Sequence, residues 1–277
     1  MRIGLLLLVA MALATLIAPL ILPEPDALDL AARFAEPSWD HLLGTDELGR
    51  DLASRLLHGG RISLTVAAIT ALLAALIGTV IGLLAGYHGG MLDAALMRLT
   101  DGIMSLPLLP LLIVLAAADP EKLGIDPDMA ASEGFAVARL SIIIACVGWT
   151  TVARLVRAST LSTRTRDYVR AAVATGASPS RVMLRHVLPN IASPIVVATT
   201  LSVGHIILIE SALSFLGLGI RPPLASWGNM LTGAMDVVWS TPSLAIWPGA
   251  AILLTVLAFN LLGDGLQRVF DPKSRSS

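Results

Sequence analysis

Six long apolar runs constrain the fold of this 277-residue chain more than any other feature. Each run has about 20 predominantly apolar residues, enough for a helix to cross a hydrocarbon core of about 30 Å. Only 14% of all residues are charged, whereas soluble domains carry about 25%. The sequence therefore predicts an all-α integral membrane protein, one transmembrane domain over 1–277 with six helices. The predicted spans are 3–22, 62–87, 99–118, 136–156, 191–217 and 244–266.

The first run, 3–22, follows Arg2 and has two interpretations. Ala12 and Ala14 offer a weak small-residue cleavage pattern, as in a secretory signal. The run is also long enough to span the bilayer, which favours a retained signal anchor.

Basic residues are distributed unevenly between the two sets of loops that six spans create. One set, which includes both termini, carries twelve Lys and Arg residues, and the other carries seven. Because basic loops stay in the cytoplasm, the first set and both termini are predicted to be cytoplasmic. The formal net charge of −1 creates no overall field that favours nucleic acid. The cytoplasmic set is Arg2, Arg98, Arg154, Arg157, Arg164, Arg166, Arg170, Arg181, Arg185, Arg268, Lys273 and Arg275.

Two of the predicted spans carry residues that indicate how they pack. Gly78, Gly82 and Gly86 form a doubled small-xxx-small repeat, which predicts the close approach of another helix. Pro107 and Pro110 predict a kink in the third span. A kinked span with a polar end either lines a pathway or is a structural bend alone.

The segment 165–190, TRDYVRAAVATGASPSRVMLRHVLPN, has the most consistent local signals. Its alanines favour a first helix, and Gly176 can adopt the left-handed conformation that ends one. Ser178 followed by Pro179 is an N-cap with proline at the first helical position, and Pro189 is predicted to end the second helix. Helices this short are not stable alone, so the pair must pack against another surface.

Arginines surround this helix pair, and its alanines leave little side-chain bulk on the first helix. The pattern suits insertion into a groove of a partner. A solvated loop that only enforces topology explains the charge but not the spacing of the Ala-Ala, Gly and Leu-Pro positions. A DNA-binding helix-turn-helix is a further alternative, but no soluble domain or basic recognition face accompanies the outline.

The spacing of the alanines, the glycine and the Leu-Pro pair resembles the EAA motif of permease subunits of bacterial ABC importers. The resemblance implies that 165–190 is a coupling loop whose helix docks into a cytoplasmic ATPase. The first motif position, commonly glutamate, is Arg170 in this chain, so the salt bridge that a glutamate would make with the ATPase is not expected. The docking residues that the resemblance implies are Arg170, Ala171, Ala172, Gly176, Ala177, Leu188 and Pro189.

A second resemblance lies in 41–64, HLLGTDELGRDLASRLLHGGRISL, and is specific to the dipeptide, oligopeptide and nickel branch of these permeases. Most of it, 41–61, is predicted to be extracytoplasmic. Thr45 is predicted to cap a helix there. The surplus of acidic residues on this side either helps to hold a binding protein or is solvated surface. Two i,i+4 ion pairs are predicted in the segment, Asp46–Arg50 and Asp51–Arg55.

Three later stretches are similar to the same branch: SFLGLG from Ser214, PPLASWGNML from Pro222 and AFNLLGDGL from Ala258. The resemblance covers most of 41–271 and implies a six-helix permease of the ABC type I importer kind in the bacterial inner membrane. It also implies three kinds of partner, which are a second homologous permease, two cytoplasmic ATP-binding subunits and an extracytoplasmic solute-binding protein. ATP and Mg would bind to the ATPase partners, and this chain would hold no cofactor.

Three ionisable residues in or near the spans are candidates for lining a pathway, namely Asp101, His205 and Glu210. Such groups in a bilayer usually face the protein interior or an aqueous cavity. His205 and Glu210 are about 140° apart around a helix, a poor pattern for two metal ligands, and no metal site is predicted. Hydrogen bonding between helices is the alternative role. Gly204 and His205 resemble a pair in some nickel-type members of the family.

No GxxxxGK[ST] phosphate loop occurs in the sequence, so a partner must bind ATP, and the chain is predicted not to be an enzyme. The predicted function is that of a permease subunit forming half of an ATP-driven pathway for di- or oligopeptides or for nickel as a metal chelate. Another small solute is an alternative substrate. A secondary transporter would need midplane ion sites and repeated halves. A hydrolase using Ser211 or Ser214 with His205 would need a GxSxG turn, which is missing.

Overall fold

The computed structural model describes residues 1–270, and every regular element in that part of the chain is helical. Lys273 and Arg275, counted above among the cytoplasmic residues, lie outside the described residues. The α-helices are α1 (Arg2–Ile21), α2 (Leu52–His88), α3 (Gly90–Ser105), α4 (Leu108–Ala116), α5 (Pro127–Ala131), α6 (Glu133–Thr163), α7 (Asp167–Ala174), α8 (Pro179–Val182), α9 (Leu188–Phe215), α10 (Trp227–Ala234) and α11 (Ser243–Phe270).

Five helical stretches are long and apolar enough to cross a membrane. They are α1, α2, α6, α11 and the continuous helix Pro179–Phe215, which joins α8 to α9. Together, α3 and α4 pass the same test as one broken span. The described chain therefore has up to six spans, and the predicted all-α membrane fold is confirmed.

The kink predicted in the third span is present, as an 88° bend between α3 and α4. Leu106 is extended, with ψ of 140°, because the ring of Pro107 disfavours helical geometry in the preceding residue. Pro110 lies in the first turn of α4, where a missing N–H leaves no hydrogen bond unmade. The span is thus divided into two helices, and α3 begins at Gly90, before the predicted start at residue 99.

The start of α2 also differs from the prediction. Asp51 caps this helix by accepting a hydrogen bond from the backbone N–H of Ser54 at 2.7 Å. The predicted cap, Thr45, is wrong, since its hydroxyl instead accepts from the backbone N–H of Ala35 at 2.8 Å. The chain between Thr45 and Asp51 turns back on itself, with a β-bridge joining the two residues. A helix that started at Thr45 could not form this turn.

One of the two predicted ion pairs in this region is present. Arg50 Nε lies 2.7 Å from Asp46 Oδ2, which confirms that pair. The predicted Asp51–Arg55 pair is wrong, because the Asp51 carboxylate serves as the helix cap. The guanidinium of Arg55 instead lies 3.2 Å from Asp26 and 3.5 Å from Asp46. Arg55 therefore connects the start of α2 to the segment before it.

The most extensive contact between two helices joins α2 and α6, at the predicted glycine repeat. A Cβ atom added to Gly82 would lie 2.6 Å from the carbonyl oxygen of Ala153, and one on Gly78 would lie 2.7 Å from that of Trp149. Gly86 meets Thr160 in the same way. The predicted close approach is confirmed, and it holds α2 and α6 together as a rigid pair.

We expect Gly82→Leu to lower stability by about 1–3 kcal/mol, because the added side chain must force the two helix backbones apart. The measurement is thermal unfolding of the purified protein in detergent. Gly102→Leu is the matched control, since a Cβ at Gly102 on α3 has nothing within 4 Å. Equal melting temperatures for the two variants would contradict this account of the packing.

Candidate functional site

The segment 165–190 forms two short helices joined by a tight turn. Gly176 ends α7 with a φ of +85°. The N–H of Ala177 bonds to the carbonyl of Ala172 at 3.1 Å and that of Gly176 to Val173 at 3.0 Å, the pattern of a Schellman motif. Pro179 then opens α8 at its first position. The capping residues of the sequence therefore account for the turn.

Pro189 does not end the second helix, and this prediction is wrong. The helix continues from α8 into α9 through a π-helical segment, Met183–Val187. In this wider turn the N–H of Leu188 bonds to the carbonyl of Met183, five residues earlier. The backbone hydrogen bonds have therefore already left the α-helical pattern at the residue before Pro189. Asn190 Nδ2 donates to the carbonyl of His186, one helical turn earlier, at 2.8 Å. The loop and α9 are therefore one continuous body.

One side of the segment is anchored to the ends of the spans. Val169, Val182 and Val187 are buried, and they pack into an apolar cluster with residues of α2 and α6. Arg164 strengthens this attachment, because its Nη1 donates to the carbonyls of Gly86 and Tyr87, each at 2.9 Å. These are the last carbonyls of α2, which have no partner within the helix. The partners of the three valines are Leu83, Val152, Val156 and Ile191.

The opposite side of the segment is exposed and mixes basic with apolar residues. Of the predicted docking residues, Arg170, Ala171, Gly176 and Pro189 are exposed and Ala172 is partly so. Ala177 and Leu188 turn inward and contact the anchored cluster, so they do not lie on this face. Three exposed apolar side chains were missed by the sequence motif; they are Tyr168, Val173 and Leu184. Apolar residues on an otherwise polar loop were the available signal. We call these three with Arg170, Ala171 and Gly176 the docking face.

A separate, mainly apolar groove of about 550 Å³ lies between α2, α3, α4, α6 and α9. Only a few polar residues line it, and they include Thr150, Thr151, Ser202 and the predicted His205. Asp101 is not among the lining residues; it is exposed and bonds to Arg154 at 2.5 Å. Within residues 1–270, no group of three or more His, Cys, Asp or Glu residues could hold a metal ion.

Glu210 does not lie in the groove either, and its expected pathway position is corrected. Its side chain is 0% exposed and accepts a hydrogen bond from Ser214 at 2.8 Å. Ser63, Ser211 and Ser226 also hydrogen-bond the carboxyl group. Because these serines come from α2, α9 and the cap of α10, Glu210 joins three helices through a satisfied buried network.

The family model for the binding-protein-dependent transport system inner membrane component matches residues 78–276, more than half of the chain. The chain belongs to this family. The match includes the docking face and most of the residues that line the groove, and it confirms the resemblance to permease subunits of bacterial importers.

Full-length relatives agree with this assignment. A protein of Brucella suis biovar 1, named as a peptide permease, is 41% identical over 274 residues, covering 98% of this chain and 86% of the relative. A dipeptide transport system permease protein of Haemophilus influenzae is 37% identical over 278 residues, covering 98% of this chain and 90% of the relative. A crystal structure of an amino acid ABC transporter with histidines matches with a TM-score of 0.57 at 17% identity. It covers 78% of this chain and 94% of that one, and supports the fold alone.

Proposed function

We propose that this chain is the permease subunit of an ATP-driven importer and forms half of a pathway for di- or oligopeptides across the bacterial inner membrane. One observation carries the proposal. The docking face is exposed, yet it stands on a base that is packed onto α2 and α6 and continuous with α9. A partner that moves this face must therefore move the spans.

A cytoplasmic ATPase is the proposed partner at the docking face. Apolar side chains with an arginine beside them suit the desolvated centre of a protein interface. The seven arginines between Arg154 and Arg185 support a cytoplasmic position for this loop, and with it cytoplasmic termini. Arg170 replaces the usual glutamate, so the ATPase groove should present acidic or polar groups to it. The ATPase would hold ATP and Mg, and this chain would bind no cofactor and catalyse no reaction.

The complete importer would contain a second homologous permease, two ATP-binding subunits and an extracytoplasmic solute-binding protein. The groove supports a second permease, because the polar groups on its apolar surface must be shielded from lipid. A second permease would either pack over the groove or line a common translocation pathway with it. The family name itself describes binding-protein-dependent transport.

Peptides are the substrate class that the named relatives favour. Nickel, as a metal chelate, and other small solutes are the alternatives, and His205 is the groove residue that bears on them. A secondary transporter is the rival mechanism. It has less support, because a secondary transporter needs a coupling-ion site within the membrane. Glu210 is the one acidic residue predicted deep within a span, and serine side chains already hydrogen-bond its carboxyl group.

The decisive experiment is reconstitution of the permease pair with its ATPases and binding protein in proteoliposomes. We expect the vesicles to take up a radiolabelled dipeptide. This uptake should require ATP in the vesicle lumen, where the ATPases lie, and the binding protein outside. Uptake driven by a proton gradient through this chain alone would overturn the proposal in favour of a secondary transporter. A nickel-chelate assay in the same vesicles would identify the alternative substrate.

His205→Ala is expected to change uptake several-fold without affecting assembly, because the imidazole lines the groove and no structural bond would be lost with it. Uptake kinetics in proteoliposomes measure the effect, and copurification of the ATPase confirms assembly. Ser202→Ala, another groove residue one turn away, provides the comparison. Normal uptake with normal assembly in His205→Ala would remove this residue from the pathway.

A further inference from the structure

Three arginines on α6 hold the broken span α3–α4 at its start, middle and end. Arg157 binds Asp93 in the first turn of α3, and Arg154 binds Asp101 near the end of that helix. On the opposite side of the membrane domain, Arg139 donates to two carbonyls at the end of α4. The broken span is therefore attached to α6 by charged contacts at three separate points.

The Asp93–Arg157 contact is the best-formed of the three. Arg157 Nε and Nη2 donate to the two carboxylate oxygens of Asp93 at 2.5 and 2.6 Å. This is a bidentate arrangement, which adds geometric specificity to charge attraction. The Asp93 side chain is only 16% exposed, whereas Asp101 and Arg154 are both about half exposed. Exposed pairs contribute little, so Asp93–Arg157 is the stronger of the two ion pairs between α6 and α3.

The same end of α6 is attached to the docking face. Val156, the residue before Arg157, packs against the buried valines of α7 and α8. Arg164, two turns later, donates hydrogen bonds to the last carbonyls of α2. A displacement of the docking face must therefore act on the part of α6 that holds Asp93.

On the other side of this contact, α3 forms a wall of the groove. Met104 and Leu106 line the groove from the end of α3, and Leu108 lines it from the start of α4. The 88° bend lies between them, at Leu106 and Pro107, where no helical hydrogen bonds cross. Such a break is a natural hinge, because few bonds resist a change in its backbone angles.

We propose that Asp93 and Arg157 are the positioning pair that transmits movement of the docking face to α3, so that the groove opens or closes at the Leu106–Pro107 hinge. The inference rests on the proposed function and deepens it. The pair acts through α3 and touches no substrate.

The test uses the whole reconstituted importer with Asp93→Asn, the exchange variant Asp93→Arg/Arg157→Asp, and Glu133→Gln as the matched control. Glu133 forms another interhelical ion pair, with Arg61 at 3.0 Å, but that pair is more exposed and joins α6 to α2 and not to α3. We expect Asp93→Asn to lower dipeptide uptake about fivefold or more, while ATP hydrolysis continues at the wild-type rate. The exchange variant restores uptake, and Glu133→Gln leaves it unchanged.

A conformational measurement separates transmission from simple loss of structure. Leu106→Cys, in a Cys146→Ser background, reports hinge movement through its rate of thiol labelling with and without ATP and Mg. We expect ATP to change this rate in the parent importer and not in Asp93→Asn. An unchanged ATP response in Asp93→Asn, or failure of the exchange variant to restore uptake, would overturn the inference. If the unmodified importer itself shows no ATP-dependent uptake, the proposed function fails instead.

Discussion

Val173→Asp is expected to reduce ATP-dependent uptake about tenfold or more, because it places a carboxylate on the docking face. Val173 is 51% exposed on α7, so the substitution removes little packing within the chain. In a docked complex the new charge would be desolvated without a partner, which typically weakens an interface by about 2 kcal/mol or more. Every 1.4 kcal/mol is about tenfold in affinity.

Copurification of the ATPase and uptake into proteoliposomes measure this effect together. Met129→Asp is the matched control, since Met129 is an equally exposed apolar residue, 59% accessible, on the short helix α5. It should leave both measurements unchanged. A substitution at Gly176 would be harder to interpret, because its φ of +85° makes any side chain strain the turn itself. Normal ATPase binding by Val173→Asp would show that docking occurs elsewhere.

The second large effect is expected on stability. Asp46→Ala should lower the free energy of unfolding by about 3–5 kcal/mol, because it removes one partner from a buried network of charges. The Asp46 side chain is 6% exposed. It accepts from the backbone N–H groups of Leu48 and Arg50 at 2.9 and 3.0 Å and from Arg50 Nε at 2.7 Å. Arg55, also buried, lies 3.5 Å away and would lose its nearest buried carboxylate.

Asp26→Ala is the control for this prediction. Asp26 also pairs with Arg55, at 3.2 Å, but its side chain is 38% exposed. Partly exposed pairs contribute about 1 kcal/mol or less, so this variant should unfold close to the wild type. Thermal and denaturant unfolding in detergent compare the two variants. A similar loss for both would mean that the segment before α2 is held by packing instead of by Asp46.

Much of the fold was predictable, because the bilayer imposes strong local rules on sequence. A lipid-facing span must be an apolar helix, since no water is available to satisfy its backbone. Apolar runs therefore predicted the spans, and the repeat at Gly78, Gly82 and Gly86 predicted which surface of α2 lies against another helix. Gly176 and Pro179 predicted the turn in the coupling loop for the same reason, as capping depends on residues only a few positions apart.

The errors share a different origin. Thr45 was predicted to cap α2, but Asp51 is the cap. Arg55 was predicted to pair with Asp51, but it pairs with Asp26 and Asp46. Which groups bond depends on a turn that brings distant residues together. Pro189 was predicted to end a helix, but it follows a π-helical segment through which the helix continues. Local propensity is outweighed in such cases by contacts that cannot be read from neighbours in sequence.

For this protein, the sequence alone determined the membrane class, the family, the side of the membrane that the charges favour and the turn around Gly176. Only the tertiary structure decided that Glu210 is enclosed by serines from three helices, that His205 faces a groove and that Val173 is exposed while Val169 is buried. It also brought Asp93 to Arg157 across 64 residues of chain. The physical reason is that caps, spans and turns are short-range features, whereas burial and ion pairing depend on which helices meet.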